Sequence, residues 1–256
     1  MGNYWNVLLK LWDIGIRGIF TRNGRYELRK IGNFIHSEKK TINESAFVKL
    51  VNVSDIVQKH TQLQIHDLEH KDGNTSVLEY FVLGLLACKY NPKRIFEIGT
   101  FDGRTTTNFA ANTSDSTEIF TLDLPKSKLG QTAMPIHQWE ECYVDKEKSG
   151  KRFEGDKLKK KIVQLYGDSA SFDYSPFINS CDFVFIDGSH MYEYVINDTS
   201  MALKLLKPEG GVIIWHDFSL EWDGNVPSAL RTFVLKDPRF KKLCRVQDTS
   251  LALLEL

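Results

Sequence analysis

The chain has 256 residues, 33 basic against 33 acidic side chains, and a hydrophobic fraction of 42%. A formal net charge of zero excludes a whole-molecule field that would draw it to nucleic acid or an anionic membrane, and the length suits one large α/β domain with an added segment. The four cysteines (Cys88, Cys142, Cys181 and Cys244) form no CxxC pair, which excludes a zinc ribbon or a dense disulfide framework and suggests reduced thiols in a cytoplasmic protein.

The first forty residues are basic on balance. Within them, residues 3–20 mix Trp5, Leu8, Leu9, Leu11, Trp12, Ile16 and Phe20 with few charges. This pattern predicts a helix that packs on the main domain or on a second copy of the chain in a homo-oligomer. The alternative is contact with a membrane surface, since Trp and basic residues favour that interface. No apolar run reaches the length of a membrane span, and no signal peptide is expected.

Residues 41–70 suggest one or two polar helices. Residues 1–71 are thus expected to be a helical extension serving packing, oligomerisation or substrate cover. Asp72-Gly73-Asn74 is a turn, after which Thr75 or Ser76 caps a helix that Asn91-Pro92 ends. From residue 94 strand and helix alternate. Strands are expected at 94–98, 118–122, 161–166, 182–186 and 212–215, with helices at about 104–112 and 192–206. Strands as apolar as Phe183-Val184-Phe185-Ile186 are buried on both faces, as in a parallel sheet covered by helices. A helix over about 226–235 leads to a hairpin of 241–246 and 251–256. The fold expected over 72–256 is a doubly wound, seven-stranded, mostly parallel α/β sheet with a C-terminal antiparallel hairpin. Residues 124–160 are a long insertion, either a substrate lid or a solvated helical insert.

Chemistry-bearing residues gather at the carboxyl ends of the strands, where open α/β sheets bind ligands. Phe96-Glu97-Ile98-Gly99-Thr100-Phe101-Asp102-Gly103 forms the turn after the first strand of the repeat. Glu97, Gly99, Thr100 and Gly103 are the candidate cofactor residues there. Phe101 stands where a dinucleotide fingerprint would have its second glycine, which favours an adenosyl amino acid over a pyrophosphate cofactor. Asp123 ends the next strand and can accept both hydroxyls of a ribose. Asp168 and Ser169 follow the third and suit an adenine contact or a helix cap. Asp187 opens Asp187-Gly188-Ser189-His190, and His190 is either a proton acceptor or a packing residue. Asp187 and Asp217, on adjacent strand ends beside His216, would hold a divalent cation such as Mg or shape a metal-free pocket.

Together these segments resemble the class I S-adenosylmethionine-dependent methyltransferases, over residues 72–256. The turn EIGTFDGRTT resembles that of the catechol and caffeoyl-coenzyme A O-methyltransferases, and DGSHxY a bacterial branch acting on natural products and sugars. The resemblance implies S-adenosylmethionine as cofactor, with Glu97, Gly99 and Gly103 on its methionine part, Asp123 on the ribose, Asp168 near the adenine, and O-methylation of a small hydroxylated molecule. Asp187 matches an aspartate of the catechol-type enzymes. His190 stands in place of their basic lysine, and His216-Asp217 in place of their Asp-Asn metal ligands. The alternative reading is a non-catalytic scaffold acting through the N-terminal segment. Phe218, Trp222, Trp139 and Tyr143 are the expected pocket walls, and a nucleic-acid partner is not expected because the basic residues form no stripe around aromatics.

Overall fold

The structure, a computed structural model, describes residues 47–219 and 224–256. The helix expected at 3–20, with its membrane-surface and oligomer readings, and the wall residue Trp222 lie outside the described residues. So does the part of the expected polar helices before residue 47.

A chain entering from Phe47 forms β1 (Lys49–Val51) and a single helical turn, α1 (Val53–Ile56). The polar helices expected up to residue 70 do not form among the described residues. Instead β1 pairs in parallel with a strand near the carboxyl end of the chain, Lys49 opposite Cys244. A three-residue edge strand carries too little pattern for alternation to reveal it, and long-range pairing overrides the local preference. The stretch after α1 is held by side chains rather than by helical hydrogen bonds. Asn112 accepts from Gln64 N at 2.8 Å and donates to Gln64 O at 3.0 Å.

Helix α2 (Val77–Tyr90) starts at a capping box. Ser76 Oγ accepts from Glu79 N at 3.2 Å, and Ser76 N donates to Glu79 Oε2 at 2.9 Å. Left-handed Asn91, followed by Pro92, ends it. The alternating units follow: β2 (Arg94–Ile98), α3 (Arg104–Ala111), β3 (Glu118–Asp123), the insertion with its short helix α4 (Glu141–Val144), β4 (Ile162–Tyr166), β5 (Phe183–Ile186), α5 (Tyr192–Leu205) and β6 (Val212–Trp215). Helix α6 (Asn225–Lys236), β7 (Cys244–Val246) and β8 (Ala252–Glu255) close the chain.

The sheet order is β1-β7-β8-β6-β5-β2-β3-β4. The seven expected strands are present, with β1 as an eighth. Strands β2 to β6 are mutually parallel, and β8 runs antiparallel to both β6 and β7. Strand order turns outward in both directions from the β2–β5 boundary, so the carboxyl ends of these two strands face the crevice used by ligands in this architecture.

The period-two alternation along β5 sorts its side chains onto two cores. Val184 and Ile186 join one apolar cluster with Trp215 and Leu230, while Phe183 and Phe185 join another with Phe109 and Leu86. Each such side chain contributes roughly 1.5–3 kcal/mol on burial. This two-sided packing makes the sheet a rigid platform for the loops at its edge. All four cysteines are free. No described helix is long and apolar enough to cross a membrane.

Candidate active site

A cavity of about 530 Å³ opens at the carboxyl ends of the central strands. Its floor is the turn after β2. The β2–β3 ladder continues past the strand through Gly99 N donating to Leu122 O at 2.8 Å, and the β2–β5 ladder through Asp187 N donating to Ile98 O at 2.8 Å. Gly99 and Asp187 are therefore neighbours at the strand-order switch. Gly99 has φ +97°, and a Cβ there would collide with the Asp187 carbonyl. Phe101 keeps the left-handed conformation (φ 49°) despite its side chain, and packs edge-on to Tyr143.

Gly99, Thr100, Asp123, Asp168, Ser169, Asp187, His190, His216 and Asp217 all line the cavity. Glu97 and Gly103 are not among its lining residues. Glu97 is fully buried beneath the floor, where its Oε2 accepts from Thr106 Oγ1 at 2.5 Å and from Thr121 Oγ1 at 2.6 Å. Gly103, at φ +89°, packs against Phe153 and Gly150 and begins α3. Its role is packing under the insertion.

The insertion is part of the site. Its later half pairs with the floor, with Gly150 N donating to Phe101 O and Arg152 N to Asp102 O, each at 2.9 Å. Arg152 also spans Asp67 and Asp102 at 2.5 and 2.7 Å. Lys146 Nζ lies 2.7 Å from Asp123 Oδ2, and Ser149 Oγ donates to the same oxygen. Asp168 accepts from Ala133 N at 2.6 Å, from Ala170 N at 3.0 Å and from Tyr194 OH at 2.9 Å.

At the other end, carboxylates and imidazoles alternate. Glu140 Oε1 lies 3.1 Å from His190 Nδ1, and His190 Nε2 is 2.6 Å from Asp217 Oδ2. His216 Nδ1 is 2.8 Å from the same Asp217 oxygen and 3.0 Å from Asp187 Oδ1, and its Nε2 is 3.2 Å from Glu79 Oε2. Neither Glu79 nor Glu140 was identified from the sequence. Glu79 is part of the capping box of α2, and Glu140 had no local signal beyond its place beside Trp139.

A sequence-family profile described as a methyltransferase domain matches residues 96–218. That match takes in the turn after β2 and the ends of β3 to β6, just under half of the chain. Among solved structures it is similar to SAH-bound PaMTH1, a methyltransferase of Podospora anserina. That match has 17% identity and a TM-score of 0.53, and covers 72% of this chain and 80% of that one. It is also similar to the O-methyltransferase TomG of Streptomyces achromogenes, solved in complex with SAM. Here identity is 16% and the TM-score 0.51, with coverage of 80% of this chain and 96% of that one. No curated protein sequence matches the chain. The profile match is to a methyltransferase, and the two solved structures share the fold of this chain. The scaffold alternative rests on N-terminal residues outside the described ones.

Burial sets the titration of this methyltransferase's site groups, and their partners modify it. For Glu97 burial outweighs the two threonine hydroxyls, and its pKa is pushed up to about 8. Burial also keeps Asp187 raised, despite the opposing charge and hydrogen bond of His216. Burial works against charge on His190, but Asp217 and Glu140 overcome it and push its pKa up to about 10. His216, between Asp187 and Asp217, is likewise raised well above its ordinary value. Asp217 and Glu79 would be raised by burial, yet their imidazole partners hold both far down. The result is two imidazolium cations among four acidic side chains.

This arrangement does not fit the divalent cation expected at Asp187 and Asp217. Ligand atoms of Asp187, His190 and Asp217 do lie within 4.8 Å of one another. His216 Nδ1, however, lies between the two carboxylates, 3.0 Å from Asp187 Oδ1 and 2.8 Å from Asp217 Oδ2, and both nitrogens of His190 face carboxylates. A hard dication also prefers oxygen donors to a protonated imidazole.

Proposed function

We propose that this methyltransferase methylates an oxygen of a small hydroxylated acceptor, with Asp187 taking the acceptor's proton. Bound S-adenosylmethionine supplies an electrophilic methyl on a sulfonium. The residues present suit it. Gly99 gives a close backbone approach that any side chain would block, Asp123 offers a carboxylate to the ribose hydroxyls, and Asp168 with Ser169 lies one strand further on for the adenine. The excess of carboxylates over imidazoles at the other end of the cavity favours a cationic centre there.

The sequence offers His190 as a proton acceptor or a packing residue. An imidazole whose two nitrogens both donate to carboxylates has no lone pair to accept with, so its part is to hold Asp217 and carry charge. Asp187 lines the cavity, is held by His216, and has a raised pKa, which brings a carboxylate closer to the working range of a general base. Trp139 and Tyr143 wall the acceptor side and suit an aromatic or sugar ring.

The observation that carries this reading is the convergence of Gly99 with acids from successive strand ends on one cavity. Calorimetric titration with S-adenosylmethionine tests it, followed by transfer of a labelled methyl to a panel of phenols, sugars and amines. Binding by the wild type and weakening of about tenfold or more in Asp123→Ala are expected, from loss of charge-assisted hydrogen bonds. Transfer confined to amines would overturn the choice of oxygen.

A further inference from the structure

The insertion reaches the catalytic end of the cavity through one side chain. His137 caps the short turn Gln138–Glu140 that leads into α4, and its backbone N donates to Glu140 Oε2 at 3.0 Å. A glutamine would serve that cap equally well. Glu140 does more. Its Oε1 accepts from the backbone N of His190 at 2.6 Å and lies 3.1 Å from the ring Nδ1, while Ser189 Oγ donates to Oε2 at 3.0 Å. One carboxylate thus holds both the backbone and the ring of the same residue. The neighbouring Trp139 stacks on the His190 imidazole with ring centres 5.4 Å apart and planes at 22°. Chain torsion and ring rotation of His190 are fixed together, and the fixed ring turns Nε2 toward Asp217.

Burying a carboxylate is costly unless it is met by donors, and Glu140 is only 5% exposed. Its donors come from two places, the insertion's own turn and the Asp187-Gly188-Ser189-His190 loop. We infer that Glu140 is a positioning residue for His190, so that the insertion is a working part of the catalytic wall and not only a cover. Orienting a histidine through a carboxylate on its far nitrogen is the general way such rings are fixed for chemistry. The meaning of His190 for catalysis rests on the proposed function, whereas the contact itself does not.

The groups facing His190 are Glu140 from the insertion, Asp187 after β5, and Asp217 with His216 after β6. The test follows the His190 ring by NMR in the full chain, with its resonance assigned through His190→Asn. Glu140→Gln and Glu140→Asp are compared with wild type, together with melting temperature and calorimetric affinity for S-adenosylhomocysteine. Wild-type His190 is expected to stay protonated to about pH 9, with its midpoint falling by about one unit or more in E140Q and by less in E140D. Melting temperature and affinity should change little. An unmoved midpoint in folded E140Q overturns the inference, as does an equal fall in E140D accompanied by a lost melting transition. Failure of S-adenosylhomocysteine to bind wild type would sink the cofactor reading, yet leave the His190 titration readable.

Discussion

His216 presents Nδ1 to Asp187 Oδ1 at 3.0 Å, inside the arc of oxygens that would otherwise face a metal ion. The same nitrogen reaches Asp217, and Nε2 reaches Glu79. One imidazolium therefore ties together the ends of β5 and β6 and the start of α2. A cation supplied by the protein does the charge balancing that a bound dication would do, and it holds Asp187 at the cavity wall.

Methyl transfer is accordingly expected to survive dialysis against EDTA, and magnesium to leave the melting temperature unchanged. A protein that bound magnesium would gain stability with its concentration by mass action. Activity assays and thermal melts with and without chelator check this. Activity lost with EDTA and restored by magnesium would show that the carboxylates release His216 to take a metal.

His190 gives a pH dependence of defined sign. Its pKa is raised in the fold to about 10 from an ordinary 6.5. A raised basic group contributes stability fully below its unfolded value, and that contribution is lost as pH rises through the folded value. The melting temperature of wild type should therefore fall toward that of His190→Asn between about pH 7 and 10, the gap being widest at the acidic end.

Gly99→Ala should be among the most damaging single substitutions. The glycine sits at φ +97°, and the new methyl would meet the Asp187 backbone carbonyl, which the β2–β5 ladder holds in place. Neither strand can retreat without breaking sheet hydrogen bonds. A loss on the order of 3 kcal/mol or more is expected, measured by denaturant unfolding.

The buried strands were legible because continuous apolar runs such as Phe183–Ile186 have one natural place in an α/β protein. Gly99, Asp123, Asp168 and Asp187 followed, since each ends or follows a strand whose position was already known. β1 was not legible, because three residues pair only through a strand almost 200 positions away. Glu140 and Glu79 escaped for the same reason. Their partners, His190 and His216, lie 50 and 137 residues on, and no local pattern encodes such a meeting. Glu97 and Gly103 were placed correctly along the chain but assigned to the ligand. The strand pleat turns Glu97 below the floor, and the packing of Phe153 claims Gly103.

Glu97 then carries a prediction of its own. Its carboxyl is buried among apolar strands, with Oε1 lacking a hydrogen-bond partner among the described residues. Burial raises its pKa from 4.5 to about 8. An acid raised in the fold binds its proton more tightly there than in the unfolded chain. Between these two values the unfolded state holds fewer protons, so stability falls as pH rises and levels off above the folded value. Glu97→Gln removes the titration and leaves a neutral group of the same shape to accept from Thr106 or Thr121. The variant should melt close to wild type near pH 5 and become relatively more stable toward about pH 8. A gap between the two melting curves that does not widen with pH would mean that Glu97 is already ionised at neutral pH, held by the two threonine hydroxyls strongly enough to outweigh its burial.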